Sequence, residues 1–184
     1  MSLFNRNHSQ RNTHTCQSNR SNFNQGAYSL PCRPQYKGRQ YSRNLSEQLK
    51  DYGPYPFAIN IEKATERNDA FRRTLWTGQF MQLTLMSLLP GEEIGLEIHP
   101  NVDQFIRIEE GRGMLMMGDH KDAPTLQQIV SDDSAFIIPA STWHNLINIG
   151  QDPLKLYSIY APPQHPLGTV HETKAIAEEA ERQD

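Results

Sequence analysis

Apolar and polar residues alternate in short stretches through most of the chain beyond residue 70. Alternation over about 4 to 8 residues is typical of β-strands that bury one face. Turn-forming residues such as Gly78, Pro90-Gly91 and Gly118-Asp119 separate these stretches. The pattern predicts strands at 57–61, 71–77, 80–88, 93–99, 103–110, 113–117, 126–130, 134–138, 143–148 and 154–160. Many short strands joined by turns, with no βαβ alternation, predict an antiparallel sandwich or barrel.

Helical signals are confined to the two sides of this region. Residues 45–52, LSEQLKDY, predict a short helix that Gly53-Pro54 ends, because proline cannot continue a helix. The polar stretch 62–70 predicts one further helical turn, and residues 173–183, rich in Ala and Glu, predict a C-terminal helix.

The charge distribution adds an N-terminal arm to this picture. The net charge is -3, but the charges are unevenly distributed: seven Lys and Arg residues precede the first acidic residue, Glu47. Residues 1–44 are rich in Asn, Gln, Ser and Arg and poor in aliphatic residues, so we expect them to be disordered. The scattered positive charges favour a solvated tail over an arm that binds nucleic acid, since no DNA-binding helical motif precedes the predicted barrel.

Composition also bears on the location of the protein. No apolar stretch approaches the ~20 residues of a membrane span, and the N-terminus lacks the features of a secretory signal. We therefore expect a soluble cytoplasmic protein that does not bind membranes. Cys16 and Cys32 both lie in the polar arm and are interpreted as free thiols rather than as a disulfide or a zinc site.

Four residues predict a metal site. Glu97 and His99 are two residues apart, so on a strand they project from the same face. The Pro100-Asn101 turn leads into a further strand that brings Gln104 back beside them, and His144 belongs to a later strand. Two imidazoles with carboxylate and carboxamide oxygens suit a divalent cation such as Mn²⁺, Fe²⁺, Zn²⁺ or Ni²⁺.

The spacing of these residues resembles the paired motifs of the cupin superfamily. In the first motif Gly91 is followed by five residues and then by Glu97-Ile98-His99; four further residues separate His99 from Gln104, and six separate Gln104 from Gly111. The second motif runs Gly, five residues, Pro-x-Gly, two residues, His, three residues, Asn, and its positions are held here by Asp133, Pro139, Ser141, His144 and Asn148. Glu97 stands where the family usually has its first His, and Gln104 where it has Glu. Both replacements are oxygen donors.

The resemblance implies an all-β fold, a double-stranded β-helix (jelly roll) with a short helix before it and a helix after it. The expected organisation is an arm at 1–44, a cupin barrel at 45–171 and a C-terminal helix at 172–184. Within the superfamily the chain looks most like the small single-domain cupins of the cupin-2, mannose-6-phosphate isomerase-like type. Such cupins commonly pair, so a homodimer is expected, with Phe57, Ile59 and Ile61 at its interface.

The resemblance also implies an activity. A metal acting as a Lewis acid, with a nearby group moving a proton, would make this an isomerase- or lyase-like enzyme acting on a small polar metabolite such as a sugar or sugar phosphate. One alternative is a non-haem iron oxygenase, because His99, His144 and Glu97 supply two His and one carboxylate. The other alternative is a non-catalytic module that binds a small ligand or a partner.

Several residues are candidates for roles around the metal. Glu97 could be a ligand or a base, and His165 and His171, in the segment after the last strand, could act as general acid or base. The competing interpretation is that these two His satisfy backbone groups in a proline-fixed loop. Further candidates for substrate contact, which at such strand positions more often have structural roles, are Arg72, Arg73, Tyr157 and Tyr160.

Overall fold

The computed structural model describes residues 48–182, and these residues form two antiparallel sheets. The helices are α1 (Ile61–Glu66) and α2 (Lys174–Glu181). The strands are β1 (Arg72–Thr77), β2 (Gln82–Leu88), β3 (Asp103–Glu110), β4 (Arg112–Gly118), β5 (Leu126–Ser131), β6 (Ala135–Ile138), β7 (Trp143–Asn148), β8 (Leu154–Ala161) and β9 (Val170–His171). The larger sheet has the strand order β6-β3-β8-β2-β1-β9 and the smaller one the order β5-β4-β7.

The main core consists of side chains from both sheets. Met86, Ile106 and Leu156 on the six-stranded sheet belong to one buried cluster with Leu115 and Leu146 on the three-stranded sheet. Alternate residues of each strand supply this cluster, because successive side chains of a strand point to opposite faces. The two packed sheets confirm the expected double-stranded β-helix, with a short helix before it and a C-terminal helix.

A second apolar cluster covers the outer face of the larger sheet. Leu75 and Leu85 are fully buried there beneath Ala64 of α1. Phe57 and Ile59 pack onto the same cluster. The predicted strand at 57–61 is therefore wrong: residues 57–60 pair with no strand, and their apolar side chains instead pack on the sheet from outside.

The helix predicted at 45–52 is absent from its described part, residues 48–52, while residues 45–47 lie outside the described residues. Residues 48–52 are not helical, and the Tyr52 N–H donates to the Leu75 carbonyl of β1 instead. The short helix is α1, where the polar stretch at 62–70 predicted a turn. Its N-cap is Asn60, whose side chain accepts a hydrogen bond from the Lys63 N–H.

The predicted strand at 93–99 is replaced by two isolated bridges, Glu93 with Ile147 and Glu97 with His144. Gly95 interrupts the extended backbone because its φ of 101° lies in the left-handed region. The other predicted strands beyond residue 70 and the C-terminal helix are confirmed to within a few residues, while β9 was not predicted.

The domain limits and the homodimer stay predictions. The proposed arm, with Cys16 and Cys32, lies outside the described residues. In the described part of the chain, neither helix has the length and apolar character needed to cross a membrane.

Asp51 joins the segment before the barrel to the segment after it. Its carboxylate accepts hydrogen bonds from the N–H groups of Gly53 (2.9 Å), Thr77 (3.0 Å) and Gly168 (3.1 Å) and from the Thr77 hydroxyl. Burial acts to raise the pKa of Asp51, but these hydrogen bonds outweigh it and hold the pKa below its usual value.

Asp51→Asn is expected to destabilise the protein by about 1.5 to 3 kcal/mol at pH 7, because an amide nitrogen would face these donors. A lowered folded-state pKa means that the stabilisation is present above the unfolded pKa of about 3.9 and is lost as the pH falls below it. The free energies of unfolding of the variant and the native protein, measured in urea, should thus differ at pH 7, and this difference should become smaller below about pH 4. The exposed Asp122→Asn is the control; an equal loss at pH 3 and pH 7 would contradict the electrostatic explanation.

Candidate metal centre

Glu97, His99 and His144 converge at one point of the barrel. Glu97 and His144 exchange backbone hydrogen bonds of 3.0 Å in each direction, which places their side chains on the same face. The Nε2 atoms of His99 and His144 lie 3.3 and 3.2 Å from the same oxygen, Glu97 Oε1. One ligand atom from each of the three residues lies within 4.8 Å of the others. The structure therefore brings together three of the four predicted ligands.

The turn before β7 holds the two motifs together. Ser141 has a φ of 65°, its N–H donates to the His99 carbonyl (2.8 Å) and its hydroxyl donates to the Pro100 carbonyl (3.2 Å). Asp133 has a φ of 66°. Both residues stand where the cupin motif has glycine, and both keep the left-handed backbone that glycine adopts most readily. The hydrogen bonds of Ser141 offset the strain and join the turn to His99.

The tautomer of His144 follows from its second ring nitrogen. Nδ1 lies 2.9 Å from the Thr142 carbonyl oxygen, which can only accept, so Nδ1 carries a proton. Nε2, the other ring nitrogen, is directed at the Glu97 carboxylate: it donates to that carboxylate in a doubly protonated ring and presents a lone pair to it in the neutral ring. A divalent cation between these two acceptors would satisfy both, and a backbone carbonyl on the other ring nitrogen is the usual support of a metal-binding His. The donor set fits a divalent metal.

The environment keeps Glu97 in the charged form that a metal requires. Burial acts to raise the pKa of Glu97, but hydrogen bonds with His144 and His99, together with the positive charge of Arg72, outweigh burial. The pKa of this carboxyl is held far below its usual range, so Glu97 is ionised at neutral pH.

Gln104 lies on β3 and is 2% exposed. Its Nε2 donates to the Ser158 hydroxyl (2.9 Å), while its Oε1 is buried and finds no hydrogen-bond partner in the described part of the chain. Across the sheet Gln104 is paired with Tyr160, whose ring meets His99 edge-on at 5.9 Å. The oxygen that would bind a metal is thus free, and Gln104 as a fourth ligand stays a prediction. The neighbouring residue Asp103 is exposed, and its carboxylate accepts a hydrogen bond from the Ala140 N–H.

Two interactions with a buried glutamine fix His165 beside Tyr160. The His165 N–H donates to Gln82 Oε1 (2.9 Å), and Gln82 Nε2 donates to the His165 carbonyl (2.8 Å). The His165 ring meets the Tyr160 ring edge-on at 5.2 Å. Tyr160 therefore contacts both His165 and His99. The sequence pattern does not single out Gln82, because Thr84 and Ser87 are also polar on this strand and the residue that Gln82 holds lies 83 residues further along the chain.

The protonation states of this pair follow from burial and from Arg72. Burial, and then the charge of Arg72, lower the pKa of His165 to about 3, so its ring is neutral at pH 7. Burial raises the pKa of Tyr160 to about 12, so its hydroxyl stays protonated and can donate a hydrogen bond.

His171 lies at the edge of the larger sheet on β9, directly opposite Arg72 of β1. Burial and the charge of Arg72 lower its pKa as well. The two candidate acid–base histidines are therefore placed differently: His165 stands next to Tyr160 and the predicted ligands, while His171 stands next to Arg72.

Comparison with known proteins agrees with this fold. The sequence profile of the cupin domain (Cupin_2) matches residues 84–160. The chain is 66% identical over 139 residues to the uncharacterized protein YrkC of Bacillus subtilis (strain 168), covering 76% of this chain and 74% of that protein. It is 42% identical over 115 residues to the uncharacterized protein L612 of Acanthamoeba polyphaga mimivirus, covering 62% of this chain and 70% of that protein.

A solved structure shows the same architecture. The crystal structure of BH2720 from Bacillus halodurans superposes with a TM-score of 0.70 at 64% sequence identity, covering 71% of this chain and 98% of that one. The matched domain spans the predicted metal ligands and the strands that carry them. From its domain match, its barrel and its relatives, the chain belongs to the cupin superfamily.

Proposed function

We propose that this cupin is a metal-dependent enzyme that isomerises, or eliminates from, a small polar metabolite of the sugar or sugar-phosphate type. The observation that carries the proposal is the sharing of one carboxylate oxygen, Glu97 Oε1, by the Nε2 atoms of His99 and His144 at 3.2–3.3 Å. The orientation of His144 by the Thr142 carbonyl supports it.

The residues around the three ligands divide the remaining work. A bound divalent metal would polarise a substrate carbonyl or hydroxyl as a Lewis acid. Glu97, with its strongly lowered pKa, is suited to be a ligand rather than a carrier of protons. Tyr160, protonated at neutral pH, can donate a hydrogen bond to a substrate oxygen.

His165 is the group best placed to take up a proton. Its ring is neutral at pH 7 and its Nε2 is buried without a partner, so this nitrogen can present a lone pair to a substrate. The nearby charge of Arg72 makes it a weak base. A substrate anion close to Arg72 would offset that charge and raise the basicity of His165 in the complex.

The composition of the three-residue set supports one second candidate. Glu97, His99 and His144 together are two His and one carboxylate, the ligand set of many non-haem iron oxygenases. An oxygenase would need iron and would consume O₂, whereas the isomerase or lyase would work without O₂.

A turnover experiment separates the two functions. We expect elemental analysis of the purified protein to show divalent metal near one equivalent. Without O₂, the protein should exchange carbonyl-adjacent protons of an aldose, a ketose or one of their phosphates with D₂O, as followed by NMR. Chelator treatment should abolish the exchange, and His120→Ala, at an exposed position, should leave it intact.

Other outcomes would redirect the function. Iron in the site with substrate-dependent O₂ consumption would favour the oxygenase. A protein that stays free of metal after reconstitution with Mn²⁺, Fe²⁺, Zn²⁺ and Ni²⁺ would contradict both enzymatic functions and favour a non-catalytic binding module.

A further inference from the structure

Arg72 is a buried cation whose hydrogen-bonding capacity is only partly used. The side chain is 2% exposed, and its Nη1 donates to Glu181 Oε1 of α2 at 2.8 Å. Its Nε is buried and has no hydrogen-bond partner within the described residues 48–182. A buried donor without a partner destabilises the fold, so such a group in a native protein calls for an explanation.

Two histidine nitrogens share this property. His171 Nδ1 and His165 Nε2 are also buried, with no hydrogen-bond partner among the residues that the structure describes. His171 is the cross-strand neighbour of Arg72. The charge of Arg72 lowers the pKa of both rings, which places His165 and His171 within its electrostatic reach.

Arg72 thus supplies a cation, and His165 and His171 supply two neutral imidazoles. A guanidinium donates in a fixed fork that matches the oxygens of a carboxylate or a phosphate. A neutral imidazole can add an N–H donor on one of its two nitrogens. An oxyanion is the ligand chemistry that such a set of donors recognises.

The position of the group relates it to the metal centre. His165 meets Tyr160 edge-on, and Tyr160 meets His99 edge-on. The charge of Arg72 contributes to the lowered pKa of Glu97. A small molecule with an anionic group at Arg72 would therefore have its other end near Tyr160 and the metal ligands.

We propose that Arg72 and His171 form an oxyanion subsite that holds the carboxylate or phosphate group of the substrate beside the metal centre and the candidate base His165. This proposal rests on the proposed function and narrows its substrate class to anionic metabolites. Arg72 provides the charge and His171 can add an N–H donor, while His165 Nε2 keeps its lone pair for proton transfer.

The competing explanation is that Arg72 only attaches α2 to the barrel through Glu181. The two explanations differ in what happens when Glu181 is changed. Glu181 is 55% exposed, so Glu181→Gln removes the ion pair with little disturbance of the core. If Arg72 belongs to an anion subsite, Glu181→Gln should leave anion binding intact. If Arg72 only links α2 to the barrel, substitution of Arg72 and substitution of Glu181 should weaken anion binding equally.

The test uses inorganic phosphate and acetate as probes, with binding followed by calorimetry on chelator-treated and on metal-loaded full-length protein. We expect Arg72→Met to weaken binding by about 10- to 100-fold, the range that corresponds to the loss of a charged hydrogen bond. Glu181→Gln should bind at least as tightly as the native protein. Arg112→Met, which removes an exposed arginine on β4, should bind like the native protein.

The outcomes are distinct. Native-like binding by Arg72→Met, or no binding of either probe by the native protein, would overturn the subsite. An equal loss of binding in Arg72→Met and Glu181→Gln would show a structural role instead.

If Arg72→Met does not fold, Arg72→Lys is the alternative variant, because lysine keeps the charge but lacks the forked donors of the guanidinium. Arg72→Lys should bind the anions more weakly than the native protein, and native-like binding would contradict the forked contact. Preference for phosphate or for acetate identifies the anion.

Metal content distinguishes failure of the subsite from failure of the proposed function. A protein that takes up metal but neither anion retains the proposed function without this subsite. A chelator-treated protein that binds an anion through Arg72 but never takes up metal retains the subsite without the metal-dependent chemistry.

Discussion

His144→Ala is expected to lower the affinity of the protein for divalent metal by more than about 100-fold. His144 is 1% exposed, and its ring is oriented by the Thr142 carbonyl so that Nε2 points at Glu97. Loss of a group that merely orients a metal ligand already costs roughly 10- to 100-fold in affinity, and loss of the ligand should cost more. His99→Ala should have a similar effect, because its Nε2 lies 3.3 Å from the same Glu97 oxygen.

Competition of each variant with a chromophoric chelator would measure this loss. His120→Ala is the matched control, since it removes an imidazole from an exposed turn next to β4. Circular dichroism would establish that the variants keep the barrel. Native affinity in both His99→Ala and His144→Ala would show that the metal, if any, is bound elsewhere.

Ile138→Ala and Ile137→Ala form a matched pair with opposite expectations. Ile138 is 2% exposed and belongs to the main core cluster, whereas its neighbour Ile137 is 64% exposed. Truncating the buried residue should cost about 3 kcal/mol, from lost burial and from the cavity left behind. For a chain of this length that corresponds to a fall in Tm of roughly 6 to 12 °C. Truncating the exposed residue should change stability by about 0.5 kcal/mol or less.

Chemical denaturation at two protein concentrations tests this pair and the expected homodimer together. Similar losses for both variants would mean that a partner covers Ile137, and the midpoint of unfolding should then depend on protein concentration. A small loss for Ile138→Ala would contradict its place in the core. In the structure the second apolar cluster of this chain contacts Phe57, Ile59 and Ile61. A role for these residues in a dimer interface stays a prediction.

Local sequence signals were reliable where a residue's own strand decided its environment. The strands that carry Gln104 and His144 were predicted closely, because alternation reports which face of a strand is buried. The pair Glu97 and His99 was identifiable from its spacing of two residues. Even the departures from glycine at Asp133 and Ser141 kept the backbone that the motif requires.

The same signals failed where packing between distant segments decided the outcome. Residues 57–60 have the composition of a strand, but Phe57 and Ile59 pack against the buried cluster on the outer face of the larger sheet instead. Residues 48–52 have helical composition, yet Asp51 and the Tyr52 N–H bond to β1. Local propensity is a weak determinant that tertiary contacts override.

By itself, then, the sequence determined the superfamily and most strands, and it predicted a set of metal ligands, since each depends on residue type and short spacing. Only the tertiary structure decided that Arg72, 93 residues before His165 in the chain, acts on its ring, and that Gln82 holds that histidine in place. It also separated His165, next to Tyr160, from His171, next to Arg72. These relations depend on which strands become neighbours, and strand order is set by long-range packing that no local pattern encodes.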